Sequence, residues 1–455
     1  MDPTKLREAF EQRGITKVKI GGFDVDGVLR GKYVALDKFW GIVDEGMGFC
    51  DVIFGWDIGD ALYDNAKVTG WATGYPDTRA RIDTSTFRVL PWEANTAAFL
   101  IDFFAPDGTS HPACPRSLLK SVIARANKMG FEPKFSAELE FFIFKETPES
   151  LHAKGFRGLT PLSPGMFGYS WLREGQNSEL CHAILDEMEA FGIPIEALHT
   201  ETGPGVYEVA LRYDGALRMA DNAALFKTSM KQLASRFGLY PTFMAKFSHE
   251  LAGSSGHLHQ SLWSTDSAGA KTNVFHDEAA TNKLSAVAKH YLGGQIALMP
   301  ELTALYSPTI NSYKRYVPGV WAPLTASWGV ENRTCAIRAI PAGPMSTRLE
   351  YRQTAADINP YIAIATALAA GLWGIEHKID PTPASEGDAS KRSANAAPLP
   401  RTLRDAALRL SKSDEAKQIL GAAFVDHYVR TREWEVRQFD RVVTEWELKR
   451  YFESI

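Results

Sequence analysis

The chain has 455 residues, more than one compact core accommodates, so two or more domains are expected. With 45% apolar and 23% charged residues its composition is that of an ordinary folded protein, which excludes disordered and fibrous classes. A net charge of -4 gives no basic footprint for nucleic acid, which is therefore not expected as a partner.

The first stretch, MDPTKLREAFEQRGI, predicts a short polar helix and lacks the basic and apolar regions of a secretory signal. TKVKIGGFDVDGVLRGKYV then alternates with a period of two around an Asp-Gly step, which predicts a β-hairpin. RIDTSTFRVLPW and TAAFLIDFFAPDG read as further strands, so residues 1–110 are expected to form a small, mostly β domain. From Pro115 the helical pattern SLLKSVIARANKMG precedes the strand PKFSAELEFFIF, and residues 111–455 read as a larger α+β domain. The apolar run Tyr361 to Ile375 falls short of the ~20 residues of a membrane span and predicts a buried helix, so no membrane is expected as a partner. Residues 376–400, rich in Pro, Ala, Ser and charge, predict a surface loop or flap, and the tail from Thr402 predicts helices. Cys50, Cys114, Cys181 and Cys335 form no CxxC pair, which argues against a thiolate zinc site and fits a reducing cytoplasm.

In KFSAELEFFIF, Glu138 and Glu140 sit two apart in an apolar strand and so share a face. Either that face is an exposed edge, or a cation sits between the carboxylates; Phe142 and Phe144 on the same face argue for burial. Charged pairs recur at His257 and His259 in GSSGHLHQSLW, Glu350 and Arg352 in RLEYRQ, and Glu208 and Arg212 in VYEVALRY. Together they predict a curved antiparallel sheet with a charged inner face. Carboxylate oxygen with little imidazole and no thiolate suits Mg²⁺ or Mn²⁺, ions that serve phosphoryl chemistry on ATP. Arg315, Arg333, Arg338, Arg348 and Arg352 are either ordinary salt-bridging arginines or a clamp for phosphate and a substrate carboxylate.

Five motifs in order, AELEFF, HTETGPGVYEVALR, GSSGHLHQSL, NSYKRYVPG with ENRTCAIR, and RLEYR followed by NPYIAIATALAAGL, resemble those of type I glutamine synthetases and their γ-glutamylamide ligase relatives. The resemblance covers nearly the whole chain. It implies a β-grasp-like N-terminal domain, a catalytic domain on a curved antiparallel sheet, and a double-ring dodecamer with sites between subunits. By matching position, Glu140, Glu201 and Glu208 resemble ligands of the metal at the glutamate site, and Glu138, His257 and Glu350 those of the metal at the ATP phosphates. Tyr213, His259, Ser261 and Arg348 match nucleotide contacts; Gly253, His257, Arg315 and Arg352 match glutamate contacts; Arg333 and Arg338 match the pair on the transferring phosphoryl group. Asp57 in FGWDIGD and Asp77, spaced as in the family from a turn at Ile82-Asp83, resemble aspartates that reach into a neighbour's site and hold the incoming ammonium. Asp57 alternatively caps a turn.

Two departures shift the expected substrate. After NSYKR the loop reads VPGVWAP, with Trp321 where glutamine synthetases carry a glutamate that strips a proton from ammonium; an indole accepts no proton. Ala252 replaces an asparagine before the glycine-rich substrate loop. Both make the second-substrate pocket less polar, so an ATP-dependent ligase joining glutamate to a small organic amine is expected, with Trp321 as a pocket wall. Ammonium-dependent glutamine synthetase and a non-catalytic scaffold are the alternatives; the latter should have lost metal ligands, and all six positions hold Glu or His.

Overall fold

A computed structural model of the protein describes residues 2–265, 269–392 and 396–455. Asp2 caps the first helix, Pro3–Gln12, by accepting from the Thr4 N–H at 2.9 Å. Strands β1 (Lys17–Phe23), β2 (Leu29–Val34), β3 (Met47–Cys50), β4 (Asp77–Val89) and β5 (Thr96–Phe104) form a sheet in the order β2-β1-β5-β4-β3. All its pairings are antiparallel except β1 with β5. The expected hairpin is β1–β2: Asp24 accepts from the N–H groups of Asp26 and Val28, and Gly27 supplies the φ of +79° that closes the turn. One sheet face buries Phe99 against Phe10 and Phe39. The Ile82-Asp83 step is not the expected turn. It lies inside β4, ahead of a register irregularity between Asp83 and Arg88, and is held there by the ion pair of Asp83 with the buried Arg116 guanidinium at 2.8 Å.

The larger sheet comprises β6 (Glu132–Phe144), β7 (Ile195–Thr200), β8 (Val206–Leu211), β9 (Asp214–Gly215), β10 (Tyr240–Thr242), β11 (Gly256–Thr265), β12 (Lys271–Asn273), β13 (Trp328–Val330), β14 (Ile337–Ile340) and β15 (Arg348–Tyr351). Its main order is β13-β14-β15-β11-β6-β8-β7, antiparallel apart from β13–β14. Alternation along β6 sorts its side chains. Leu139, Phe141 and Ile143 enter the main core with helices Pro115–Lys128, Ala216–Ser235, Ala286–Tyr306 and Pro360–His377, whereas Glu138 and Glu140 line the opposite face. That face ends in a small apolar cluster of Phe142, Phe144 and Val206. It is therefore shielded rather than an open edge.

The Tyr361–Ile375 run lies in the helix Pro360–His377 and is buried nearly throughout. It meets the helix Ala286–Tyr306 backbone to backbone: a Cβ on Gly294 would lie 2.3 Å from Ala370 O. No described helix is long and apolar enough to cross a membrane. The 376–400 stretch is a loop carrying one short helix, pinned to the sheet edge by bonds from Trp328 Nε1 to Thr382 O and from Asn332 Nδ2 to Ser385 O; its residues 393–395 lie outside the described residues. Helices Leu403–Lys412, Asp414–Leu420, Ala422–Phe439 and Glu445–Tyr451 form the tail.

Candidate active site

Strand register turns scattered motifs into one row. Opposite each other across neighbouring strands stand Arg338 and Glu350, Glu350 and His259, His257 and Glu138, Glu140 and Glu208, and Glu208 and His199. Directly paired residues, and residues two apart on one strand, present their side chains to the same face, so the row runs from β14 to β7 by stepping from His259 to His257 along β11 and from Glu138 to Glu140 along β6. His259 Nε2 lies 2.9 Å from Glu138 Oε1, and His257 Nδ1 lies 3.4 Å from Glu138 Oε2 and 3.5 Å from Glu350 Oε1. Ligand atoms of Glu138, His259 and Glu350 gather within 4.8 Å of one another, and those of His199, Glu201 and Glu208 do likewise.

The electrostatics suit a divalent cation. Burial, reinforced by Glu208, raises the Glu140 carboxyl from its ordinary 4.5 to about 7, so ionising it without a counter-charge is costly. Burial works against the charge on Glu138 too, but His257 and His259 hold its carboxyl well below the ordinary range. Glu350 is lowered in the same way, with His257 and Arg352 outweighing burial. His199 would lose its charge by burial, yet Glu208, 3.4 Å away, raises it to about 9. The pairing of His199 with Glu208 orients that carboxylate.

The two gatherings differ from the sets implied by sequence. Glu140 stands apart from the Glu201 and Glu208 group because its Oε2 accepts from the Ser255 N–H at 2.6 Å. His259 joins the second group through Nε2, 2.9 Å from Glu138 Oε1, while its Nδ1 accepts from Arg348 Nε at 3.1 Å. His257 then faces both carboxylates with Nδ1. Arg212 does not belong to the row: β8 ends at Leu211 and Arg212 is exposed.

Arginines surround the row. Arg338 Nη1 contacts Glu350 Oε2 at 3.2 Å while its other nitrogens hold Glu331, and Arg352 pairs with Glu350. Arg315 is buried, donates to Gln353 O and Ser255 Oγ, and has no carboxylate partner among the described residues. Gly253 explains how it gets so close: a Cβ there would stand 2.6 Å from Ala245 O and 2.8 Å from Arg315 Cγ. Arg333 is exposed beside Arg352, whose Nε donates to its carbonyl.

Residues 112–451 match the model of the glutamine synthetase catalytic domain. The chain belongs to the glutamine synthetase family. It is 49% identical over 442 residues to type-1 glutamine synthetase 2 of Dictyostelium discoideum, covering 96% of this chain and 84% of that one. It is 38% identical over 453 residues to glutamate–isopropylamine ligase of a Pseudomonas species, covering 99% and 98%. The solved GmaS/ADP complex superposes with a TM-score of 0.85 at 30% identity, covering 98% of this chain and 99% of that one. The similarity thus extends into the γ-glutamylamide ligase branch, and the protein is an ATP-dependent carbon–nitrogen ligase of a metal-dependent family.

Within this glutamine synthetase fold the nucleotide candidates flank the row on one side. Ser261 Oγ accepts from Trp263 Nε1 at 3.0 Å, and Lys134 Nζ lies 4.4 Å from the Trp263 ring and 5.4 Å from the half-exposed Tyr213 ring. Trp321 stands 67% exposed in the loop after Arg315, beside exposed Val317 and Val320. The structure does not bring Asp57 or Asp77 to the row of their own chain. Asp57 caps a turn through the Gly59 and Ala61 N–H groups and accepts from Trp434 Nε1 at 3.0 Å; Asp77 is exposed at the start of β4. Sequence reading missed His199, whose same-face spacing to Glu201 in HTETG was the available signal, and Tyr169, whose ring stacks on His199 at 4.4 Å.

Proposed function

We propose that this protein joins the γ-carboxylate of glutamate to a small organic amine through a γ-glutamyl phosphate. The observation that carries it is the loop 317–321, which presents Val317, Val320 and Trp321 to solvent and contains no carboxylate beside an otherwise complete row of acidic residues. A bare ammonium ion finds no proton acceptor there, whereas an alkyl or aryl amine finds an apolar wall.

Glu138, His257 and Glu350 would hold a divalent cation at the ATP phosphates, and Glu140, Glu201 and Glu208 one at glutamate, with His199 fixing Glu208. Bound Mg²⁺ or Mn²⁺ neutralises phosphate and carboxylate oxygens. Gly253, Arg315 and Arg352 seat glutamate, while Tyr213, His259, Ser261 and Arg348 seat the nucleotide. A γ-carboxylate oxygen then attacks the γ-phosphorus and ADP leaves. Arg333 and Arg338 stabilise the charge on the transferring group, Arg338 exchanging Glu331 for phosphoryl oxygen. The amine nitrogen, relieved of a proton by Asp77 or Asp57 of a neighbouring copy, attacks the acyl carbon and expels phosphate. Asp77 is exposed and free to meet a neighbouring copy, and we infer sites shared between copies in a dodecameric double ring, with 1–110 and 111–455 acting as two domains.

Phosphate release with ATP, Mg²⁺ and glutamate, measured across ammonium, alkylamines, ethanolamine, anilines and polyamines, tests the proposal. A monoamine should give the highest kcat/KM. Ammonium outperforming every amine would instead make the protein a glutamine synthetase proper, as its Dictyostelium relative is named.

A further inference from the structure

The second face of the N-terminal sheet carries a half-open cavity of about 260 Å³ beneath the helix Ala216–Ser235, with the exposed Lys32 and Tyr33 at its rim. Its floor is made of small residues from three adjacent strands: Gly21 of β1 opposite Gly31 of β2, and Ala98 of β5 opposite Lys19 of β1. Leu90, Leu100, Phe191 and Leu225 give it apolar walls. Arg88 lines it from β4 and is only 5% exposed.

Arg88 is the anomaly. Its Nη1 donates to the carbonyls of Phe191 and Gly192 and its Nη2 to Asn222 Oδ1, but Nε is buried without a partner. No carboxylate of the described residues forms a salt bridge with it. Asp221 acts on Arg88 only through space, because Arg116 takes it through two nitrogens, and Asp83 and Asp102 pair with Arg116 and Lys120. Burial and the neighbouring Arg218 together depress Arg88 to about 10. A water would meet Nε, whereas an oxyanion would meet it and also give the buried guanidinium the direct carboxylate contact it lacks. Ser229, also buried on the cavity wall, offers its side-chain hydroxyl to the same guest.

We propose that this cavity is a binding site for a small carboxylic acid with an apolar body, its carboxylate on Arg88 Nε and its hydrocarbon part over the Gly21, Gly31 and Ala98 floor. The apolar floor and walls suit the hydrocarbon part of a branched aliphatic or single-ring acid. The site lies between the N-terminal sheet and a helix of the catalytic core, shares no lining residue with the acidic row, and is independent of which amine the enzyme uses.

Titration calorimetry on the full-length enzyme, with saturating ATP analogue and glutamate filling the catalytic site, tests it with phenylacetate and isovalerate against phenylacetamide and isovaleramide. The acids should bind saturably and the amides at least about tenfold more weakly, the loss of one charge-assisted contact. Ala98→Leu fills the floor without touching the charge and should abolish acid binding while ligase turnover is retained; Arg88→Met, if folded, should erase the preference for acid over amide. Equal binding of acid and amide, undiminished acid binding by a folded Ala98→Leu variant, or no acid binding by the wild type at millimolar concentration would each overturn the proposal.

Discussion

Glu140→Gln should stabilise the metal-free protein at alkaline pH, although it removes a proposed metal ligand. Burial and Glu208 raise the Glu140 carboxyl from 4.5 to about 7, so between those values the folded state binds a proton that the unfolded state has released. Wild-type stability therefore falls as pH rises from 4.5 through 7, by on the order of 3 kcal/mol once the carboxyl is ionised. Glutamine has no charge to ionise and can still accept the Ser255 N–H bond that Glu140 makes at 2.6 Å. Thermal unfolding in EDTA should thus give similar midpoints for wild type and variant near pH 5, and a midpoint a few degrees higher for the variant near pH 8.5. Adding Mn²⁺ at pH 8.5 should reverse the order, raising the wild type by ligation and the variant little. A variant that is less stable than wild type in EDTA at pH 8.5, or that gains as much from Mn²⁺, would refute the claim that Glu140 is a buried carboxylate awaiting a cation.

Trp321→Glu restores a carboxylate to the loop over the site, and should lower kcat/KM for the preferred amine and raise it for ammonium, each by about tenfold or more; an unchanged ratio would remove Trp321 from the specificity account. Gly253→Ala puts a methyl 2.6 Å from Ala245 O and 2.8 Å from Arg315 Cγ. Because Arg315 must move, the KM for glutamate should rise at least about tenfold while the KM for ATP holds, checked by initial rates. His111 and His427 are held neutral by burial, at about 4 and about 3, so the unfolded chain takes up protons first as pH falls below 6.5. Stability should drop by on the order of 2 kcal/mol per histidine between pH 6.5 and 5. His427→Phe should halve that acid loss in urea unfolding, and since neither ring nitrogen of His427 has a partner it should cost nothing at pH 7.

Much of the site was legible because strand periodicity is local. Glu138 with Glu140, and His257 with His259, declare a common face by spacing alone, and Phe142 and Phe144 declare that it is covered. What spacing cannot state is register. That His259 pairs with Glu350 and His257 with Glu138, and that His199 faces Glu208, depends on the register of β15, β11, β6, β8 and β7. Arg212 shows the reverse error, since even spacing from Glu208 means nothing once the strand has ended at Leu211. The Ile82-Asp83 step looked like a turn, yet a long-range ion pair to Arg116 keeps it within β4. The Arg88 cavity could not be read at all, because its floor comes from three strands and its roof from a helix more than a hundred residues away.

The central claim, that a row of buried acidic side chains exists to hold divalent cations, is tested most directly by anomalous diffraction from crystals soaked with Mn²⁺ and a non-hydrolysable ATP analogue. Two manganese peaks per chain are predicted, one ligated by Glu138, His257 and Glu350 and the other by Glu140, Glu201 and Glu208, with oxygen ligands at roughly 2.0–2.3 Å. No peak along the row, with the Glu138–His259 and Glu350–Arg352 pairs intact in the presence of nucleotide, would contradict it.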